Sequence, residues 1–320
     1  MARWAKRMGQ AAGLSATALA LLVSLSGCGG SSPPEPQGSE EVPHTTTPGD
    51  NADSTSEPLT TPKAANRDRL HQSFADATRN ADNPPEDSQR PPDKTATDKP
   101  VFKLLGQVQS LWDTIRFVTP DDKKVEYSAT IDTTLGPIEI VLFPKAAPNH
   151  VRNFVALARA GYYDGLCFDG IVHVVDRDEM TQTVYQLDQV RAGCPLGTGE
   201  TGAGSIGYWL KPEYLTPEYK AAGLTHEPGV LSACRGSEPD SAATRFAITL
   251  SKASYLDDSY TIFGKVVKGL DVVRTMSLVP VIIDDFERDG SRRPERKIVI
   301  KSVTIHTREG AAGSGTEGTH

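Results

Sequence analysis

A mainly-β domain, in which short strands build a barrel capped by two helices, is the fold class that the sequence predicts. Eight runs of β-type residues follow one another from Tyr127 to His306. Two segments among them, Pro148–Ala158 and Leu270–Ser277, carry apolar residues at helical spacing instead. The first two runs are joined by Thr134-Leu135-Gly136-Pro137, a turn sequence that sets a hairpin. Many short strands with only two helices argue for a barrel.

The 320 residues are enough for one or two domains with a buried core. A net charge of −7, with no block of lysine or arginine, argues against nucleic-acid binding. Residues 1–28 read as a leader. Arg3, Lys6 and Arg7 form a basic start, and the apolar stretch Ala11 to Leu25 is shorter than the ~20 residues that span a bilayer. It ends in Leu25-Ser26-Gly27-Cys28, which resembles a bacterial lipobox. That likeness implies a lipid on Cys28, holding the protein to a membrane of the cell envelope on its periplasmic or outer face.

From Gly29 to Lys99 the chain has eleven prolines and a single aromatic, Phe74. Such a segment buries too little apolar surface to offset its ordering entropy, so it reads as a flexible tether, with a transient helix around Asp68 to Ala77. Val101 to Trp112 has apolar residues at 101, 104, 105, 108, 111 and 112. This spacing predicts a helix docked on the domain, inside an extension of residues 100–126.

The domain itself spans 127–307. Its runs are Tyr127–Asp132, Ile138–Phe143, Phe168–Val175, Val184–Arg191, Val230–Ala233, Arg245–Leu250, Thr261–Val267 and Ile298–His306. In the first helical segment Val151, Phe154, Val155 and Ala158 share one face, and Asn149 is the expected N-cap. Val172 to Leu187 reads as a long hairpin with its tip near Asp176–Met180. Residues 308–320 are a Gly-rich tail read as disordered.

Export implies an oxidising compartment. Apart from Cys28 there are Cys167, Cys194 and Cys234, an odd number. Cys167 and Cys194 either pair across the hairpin or stay as thiols beside Cys234. His173 with these two cysteines lacks the spacing of a metal site. Gly197-Thr198-Gly199-Glu200-Thr201-Gly202 matches a dinucleotide fingerprint, but no crossover helix follows it. No metal and no cofactor is expected.

Several local strings, taken in order, resemble the cyclophilin family of peptidyl-prolyl cis-trans isomerases. They are Thr134-Leu135-Gly136-Pro137-Ile138, Ala147-Pro148 with Asn153-Phe154, and Gly161-Tyr162-Tyr163-Asp164-Gly165 with Phe168. Pro195-Leu196-Gly197-Thr198-Gly199 and His226-Glu227-Pro228-Gly229-Val230-Leu231-Ser232 follow, then Arg245-Phe246-Ala247-Ile248-Thr249 and Phe263-Gly264-Lys265-Val266. The resemblance implies a closed eight-stranded antiparallel barrel with a helix at each end. It also implies a monomer that acts on proline-containing polypeptides and assists the folding of exported proteins.

Rotation about an X-Pro bond has a barrier of ~18–20 kcal/mol because it breaks amide resonance. A catalyst holds the proline ring and aims a donor at the prolyl nitrogen, a task that suits the rigid, always-charged guanidinium of arginine. In the family that arginine lies in F-H-R-V, which here reads Phe168-Asp169-Gly170-Ile171. The donor position is therefore glycine. By the same resemblance Arg191, Arg235 and Arg245 stand at groove positions, with Arg191 and Arg245 as candidate catalytic residues and Arg191 as the replacement donor. Phe246, Ala247, Tyr255, Leu256, Tyr260 and Phe263 are the remaining expected groove-lining residues. A contrasting reading is a catalytically inactive module that binds acidic or carboxylate-bearing ligands through the arginine-lined groove.

Overall fold

Between Val125 and Thr133 the residues Tyr127, Ala129, Ile131 and Thr133 are buried and those between them face outward. This is the period-2 burial of a strand with one face on a core. The computed structural model describes residues 71–80, 91–178, 180–199, 205–282 and 290–310. The leader, Cys28 and residues 29–70 of the expected tether lie outside the described residues.

Among the described residues the first elements are α1 (Phe74–Ala77), β1 (Thr78–Asn80), α2 (Val101–Trp112), β2 (Val125–Thr133), β3 (Gly136–Leu142) and α3 (Pro148–Arg159). Next come β4 (Cys167–Arg177), β5 (Val184–Ala192), β6 (Tyr208–Leu210), α4 (Pro217–Ala221), β7 (Val230–Ala233) and β8 (Phe246–Thr249). It finishes with β9 (Ile262–Lys268), α5 (Leu270–Ser277), β10 (Ser291–Arg292) and β11 (Ile298–Glu309).

Eight of these strands form a ring in the order β4-β11-β2-β3-β9-β7-β8-β5, closed by the pairing of β5 with β4. Every pairing is antiparallel. The ring is the closed eight-stranded barrel expected, and each of its strands coincides with one of the eight β-type runs. Closure leaves the barrel without an edge. Ile131, Ile138, Ile140, Val190, Leu231, Ile248 and Ile300 fill its interior, with Phe154 of α3 and Val273 and Met276 of α5 packed in from the capping helices. Strand β10 lies outside the ring against β4, Ser291 opposite Val172.

The entry to α3 differs from expectation. Pro148 takes the first helical position, which moves the cap to Ala147 and puts Asn149 inside the first turn. The free N–H groups of Asn149 and His150 donate to the carboxylate of Glu213, each at 2.9 Å. A buried carboxylate there also complements the helix dipole. The Asn149 side chain instead receives Arg152 Nη1 at 3.1 Å and donates to Gln72 at 2.7 Å.

Gln72 belongs to the stretch expected as tether, and residues 71–80 and 91–99 of that stretch are packed on the barrel. Phe74 meets Trp112 edge-on at 5.2 Å and Tyr208 at 5.0 Å. Trp112 donates to the Gln72 carbonyl at 3.0 Å, and β1 pairs with β6. Lys99 donates to the carbonyls of Gly161 and Asp164. The one aromatic of the low-complexity segment is thus its anchor. Likewise β11 runs on through Arg308, which pairs with Glu126 at 2.6 Å, so the ordered chain reaches past the expected boundary at 307.

Candidate functional site on the outer face of β4, β5 and β8

Side chains alternate along β5, so Val190 and Ala192 enter the core while Leu187, Gln189 and Arg191 point outward. Registers carry this outer face across its neighbours. Gly170 of β4 stands opposite Arg191, Arg191 opposite Ala247 of β8, and Ala247 opposite Ser232 of β7. The next row is Val172, Gln189 and Thr249.

Arg191 is 7 % exposed. Its Nη2 and Nε lie 3.3 and 3.4 Å from Gln189 Oε1, and Gln189 Nε2 donates to Thr249 Oγ1 at 3.2 Å. A side chain on Gly170 would start 3.5 Å from Arg191 Cβ, on the same face. It would also start 3.2 Å from Ser291 Cβ, because β10 lies over this position. Arg191 is therefore the guanidinium rooted beside Gly170, and Ser291 fills part of the space that a longer side chain there would need.

Beside this row Val172, Leu187, Ala253 and Leu256 form a small apolar cluster outside the barrel, flanked by Val174, Tyr255 and Tyr260. Tyr255 donates to the Gln186 carbonyl at 3.1 Å and meets Tyr185 edge-on at 5.4 Å. Burial raises its hydroxyl pKa, with Tyr260 and Asp188 adding to the shift. Leu256, Tyr255 and Tyr260 thus lie together in this cluster, and Ala247 stands in the row of Arg191.

Of the other expected members, Arg235 lies against Tyr260 of this cluster, while Phe246, Phe263 and Arg245 are turned elsewhere. Phe246 and Phe263 point into the core, where both rings lie 5.7 Å from that of Phe154, Phe246 edge-on and Phe263 tilted. Phe246 alternates with Ala247, so only one of the two can face the groove. Arg235 lies over the Tyr260 ring at 4.6 Å and donates to the carbonyls of Ser259, Gly236 and Ser237. Arg245 is turned away altogether. Its Nη2 donates to Asp169 Oδ1 at 2.7 Å, and Asp169 Oδ2 accepts the Cys194 N–H at 2.8 Å. The three arginines do not converge, because two are committed to carbonyls or to a buried carboxylate.

Cys167, Cys194 and Cys234 are free thiols. Burial pushes the Cys167 thiol up, with the nearby Asp169 charge adding to the shift. The long hairpin is present, and its turn runs from Asp178 to Thr183, slightly beyond the expected tip. His173 and Asp188 face each other on it, Nδ1 to Oδ1 at 2.8 Å, and His173 Nε2 lies 2.7 Å from the Ser277 carbonyl of α5. The sequence reading missed Ser291, Asp169 as a partner, and this histidine bridge. Only Gly170 itself, an unexpected glycine in a buried strand, hinted at the covering strand.

A closed antiparallel barrel of eight strands with two capping helices is the cyclophilin class of fold. Residues 128–305 match the family model described as cyclophilin type peptidyl-prolyl cis-trans isomerase/CLD, and the chain belongs to that family. A peptidyl-prolyl cis-trans isomerase-like 3 of Rhizopus delemar is 35% identical over 180 residues, covering 56% of this chain and 94% of the relative. Peptidyl-prolyl cis-trans isomerase 10 of Caenorhabditis elegans is 32% identical over 185 residues, covering 58% and 99%. The crystal structure of a cyclophilin type peptidyl-prolyl cis-trans isomerase from Cryptosporidium parvum is 26% identical over 57% of this chain and 98% of that one, with a TM-score of 0.43.

Proposed function

We propose that this protein is a slow peptidyl-prolyl cis-trans isomerase in which Arg191 supplies the donor that Gly170 lacks. The observation that carries this reading is the shared face of Gly170 and Arg191, with Cβ positions 3.5 Å apart. In this mechanism an X-Pro segment lies along β5 and β8, its ring against Ala247 and Leu256. As the amide twists, the prolyl nitrogen becomes pyramidal and basic and accepts a hydrogen bond from the Arg191 guanidinium. Gln189 holds that guanidinium by its Oε1, and the chemistry needs no cofactor.

Removing one preorganised donor lowers turnover by about 10²–10³-fold, and a donor placed one strand away recovers only part of this. The small Ala247 also leaves the proline ring loosely held. The natural clients are unfolded exported polypeptides, met at the membrane to which a lipid on Cys28 anchors the chain. Labelling with radioactive palmitate, lost in Cys28→Ser, tests the anchor.

The test of turnover is NMR exchange spectroscopy on X-Pro peptides with the full-length protein beside Arg191→Ala and Arg191→Lys. The expected result is acceleration that the alanine variant abolishes and the lysine variant keeps in part. A wild-type rate equal to the uncatalysed rate defeats the reading, leaving a non-catalytic groove for acidic ligands.

A further inference from the structure

On the wall made by β2, β3 and β11, three strands round the ring from β5, lies a groove of about 1170 Å³ that the isomerase site does not use. Phe117, Val118, Val141, Phe143, Pro144 and Leu224 give it apolar sides. Ser128 and His306 also line it, and Glu126 and Arg308 form an ion pair at its exposed surface. Lys124 and Lys145 also line it, both exposed and neither with an ion-pair partner among the described residues. A smaller recess of about 380 Å³ continues past Val118 and Tyr127 and adds Arg116 and Arg159. Across both hollows five lysine and arginine residues face three carboxylates, so the surface favours an anionic occupant.

We infer that this groove binds an extended segment of a client polypeptide in which apolar side chains alternate with aspartate or glutamate. The apolar sides take the hydrophobic side chains. A peptide backbone brings both donors and acceptors to Ser128, His306 and the Glu126–Arg308 pair among the lining residues. A hydrocarbon chain laid over these groups would return no hydrogen bond. Lys124 and Lys145 attract the acidic side chains, an attraction that salt screens. The volume also exceeds the ~300–1,000 Å³ of a site for one small molecule.

The probe is a short fluorescein-labelled peptide of alternating leucine and aspartate, titrated with the full-length protein and followed by fluorescence anisotropy. The expected result is saturable binding that falls with added salt and is absent for a leucine–lysine peptide. Lys124→Glu with Lys145→Glu weakens it roughly tenfold, as loss of two charge contacts implies. Both side chains are exposed, and circular dichroism confirms that the variant is folded. X-Pro exchange on short peptides is unchanged in that variant, so the inference and the isomerase reading fail separately. Equal binding of the leucine–lysine peptide, unchanged affinity in the double variant, or displacement by laurate overturns the inference.

Discussion

Arg245 and Asp169 form an ion pair that solvent barely reaches, with Nη2 2.7 Å from Oδ1 and side chains 4% and 0% exposed. The pair fastens the segment after β5 to β4, because Asp169 also receives the Cys194 N–H. Asp169→Asn leaves a buried guanidinium without its counter-charge and is expected to lower stability by about 3–5 kcal/mol. Asp169→Asn with Arg245→Gln should restore part of that loss. Urea unfolding of both variants measures the difference; equal losses would mean that charge pairing contributes nothing.

Ser291 decides whether an arginine can stand at position 170. Its Cβ lies 3.2 Å from where a side chain on Gly170 would begin, and real contacts are seldom so close. Gly170→Arg alone is therefore expected to destabilise the β4–β10 contact. Gly170→Arg with Ser291→Gly should fold well and raise kcat/KM over wild type, by less than the ~10²–10³-fold worth of one well-placed donor because Arg191 already supplies part of it. Steady-state kinetics on an X-Pro peptide read the outcome.

The N-terminal strap hangs on Trp112. That ring is fully buried, donates to Gln72, meets Phe74 edge-on, and has the Arg152 guanidinium 5.5 Å from its centre. Trp112→Ala should destabilise the protein by about 3–5 kcal/mol. Trypsin should then cut after Arg79 well before it attacks the barrel. Simultaneous loss of both would show that strap and barrel unfold as one unit.

His173 makes the hairpin sensitive to pH. Burial alone would lower its pKa, but the hydrogen bonds to Asp188 and the Ser277 carbonyl, with the Asp188 charge, raise it above the ordinary 6.5. A folded value above the unfolded one means that the contact is complete below about pH 6.5 and is lost as pH rises through the folded value. Amide exchange in residues 173–186 should therefore quicken, beyond its intrinsic pH dependence, between about pH 6 and 8. His173→Gln should remove that additional acceleration.

The barrel was legible because its strands are β-type runs, and some, such as β2 and β3, carry their own period. Residues 127, 129, 131 and 133 reveal β2 without any help from its neighbours. What the sequence hid were contacts set from a distance. Glu213 caps α3 from far along the chain, so Asn149 looked like the local answer. Arg245 occupies a groove position by alignment, yet its direction depends on Asp169 across the barrel wall. Strand β10 has two residues, too few to show a period. Phe74 stood out in the low-complexity segment, but composition averages over such a residue, and it is the one that orders the strap.

Strand β11 pairs with β2 from Ile300 to Glu309 and with β4 at Ile298 and Val299, which joins the first barrel strand to the last. A nascent chain leaving the ribosome or a translocation pore delivers β2 early and β11 at the end. Until then β2 and β4 expose unpaired backbone that neighbouring chains can bind. Low-order hairpins can form during synthesis, but the barrel is completed only after the C-terminal strand is free. During its own synthesis the protein thus passes through a stage in which its early strands need holding.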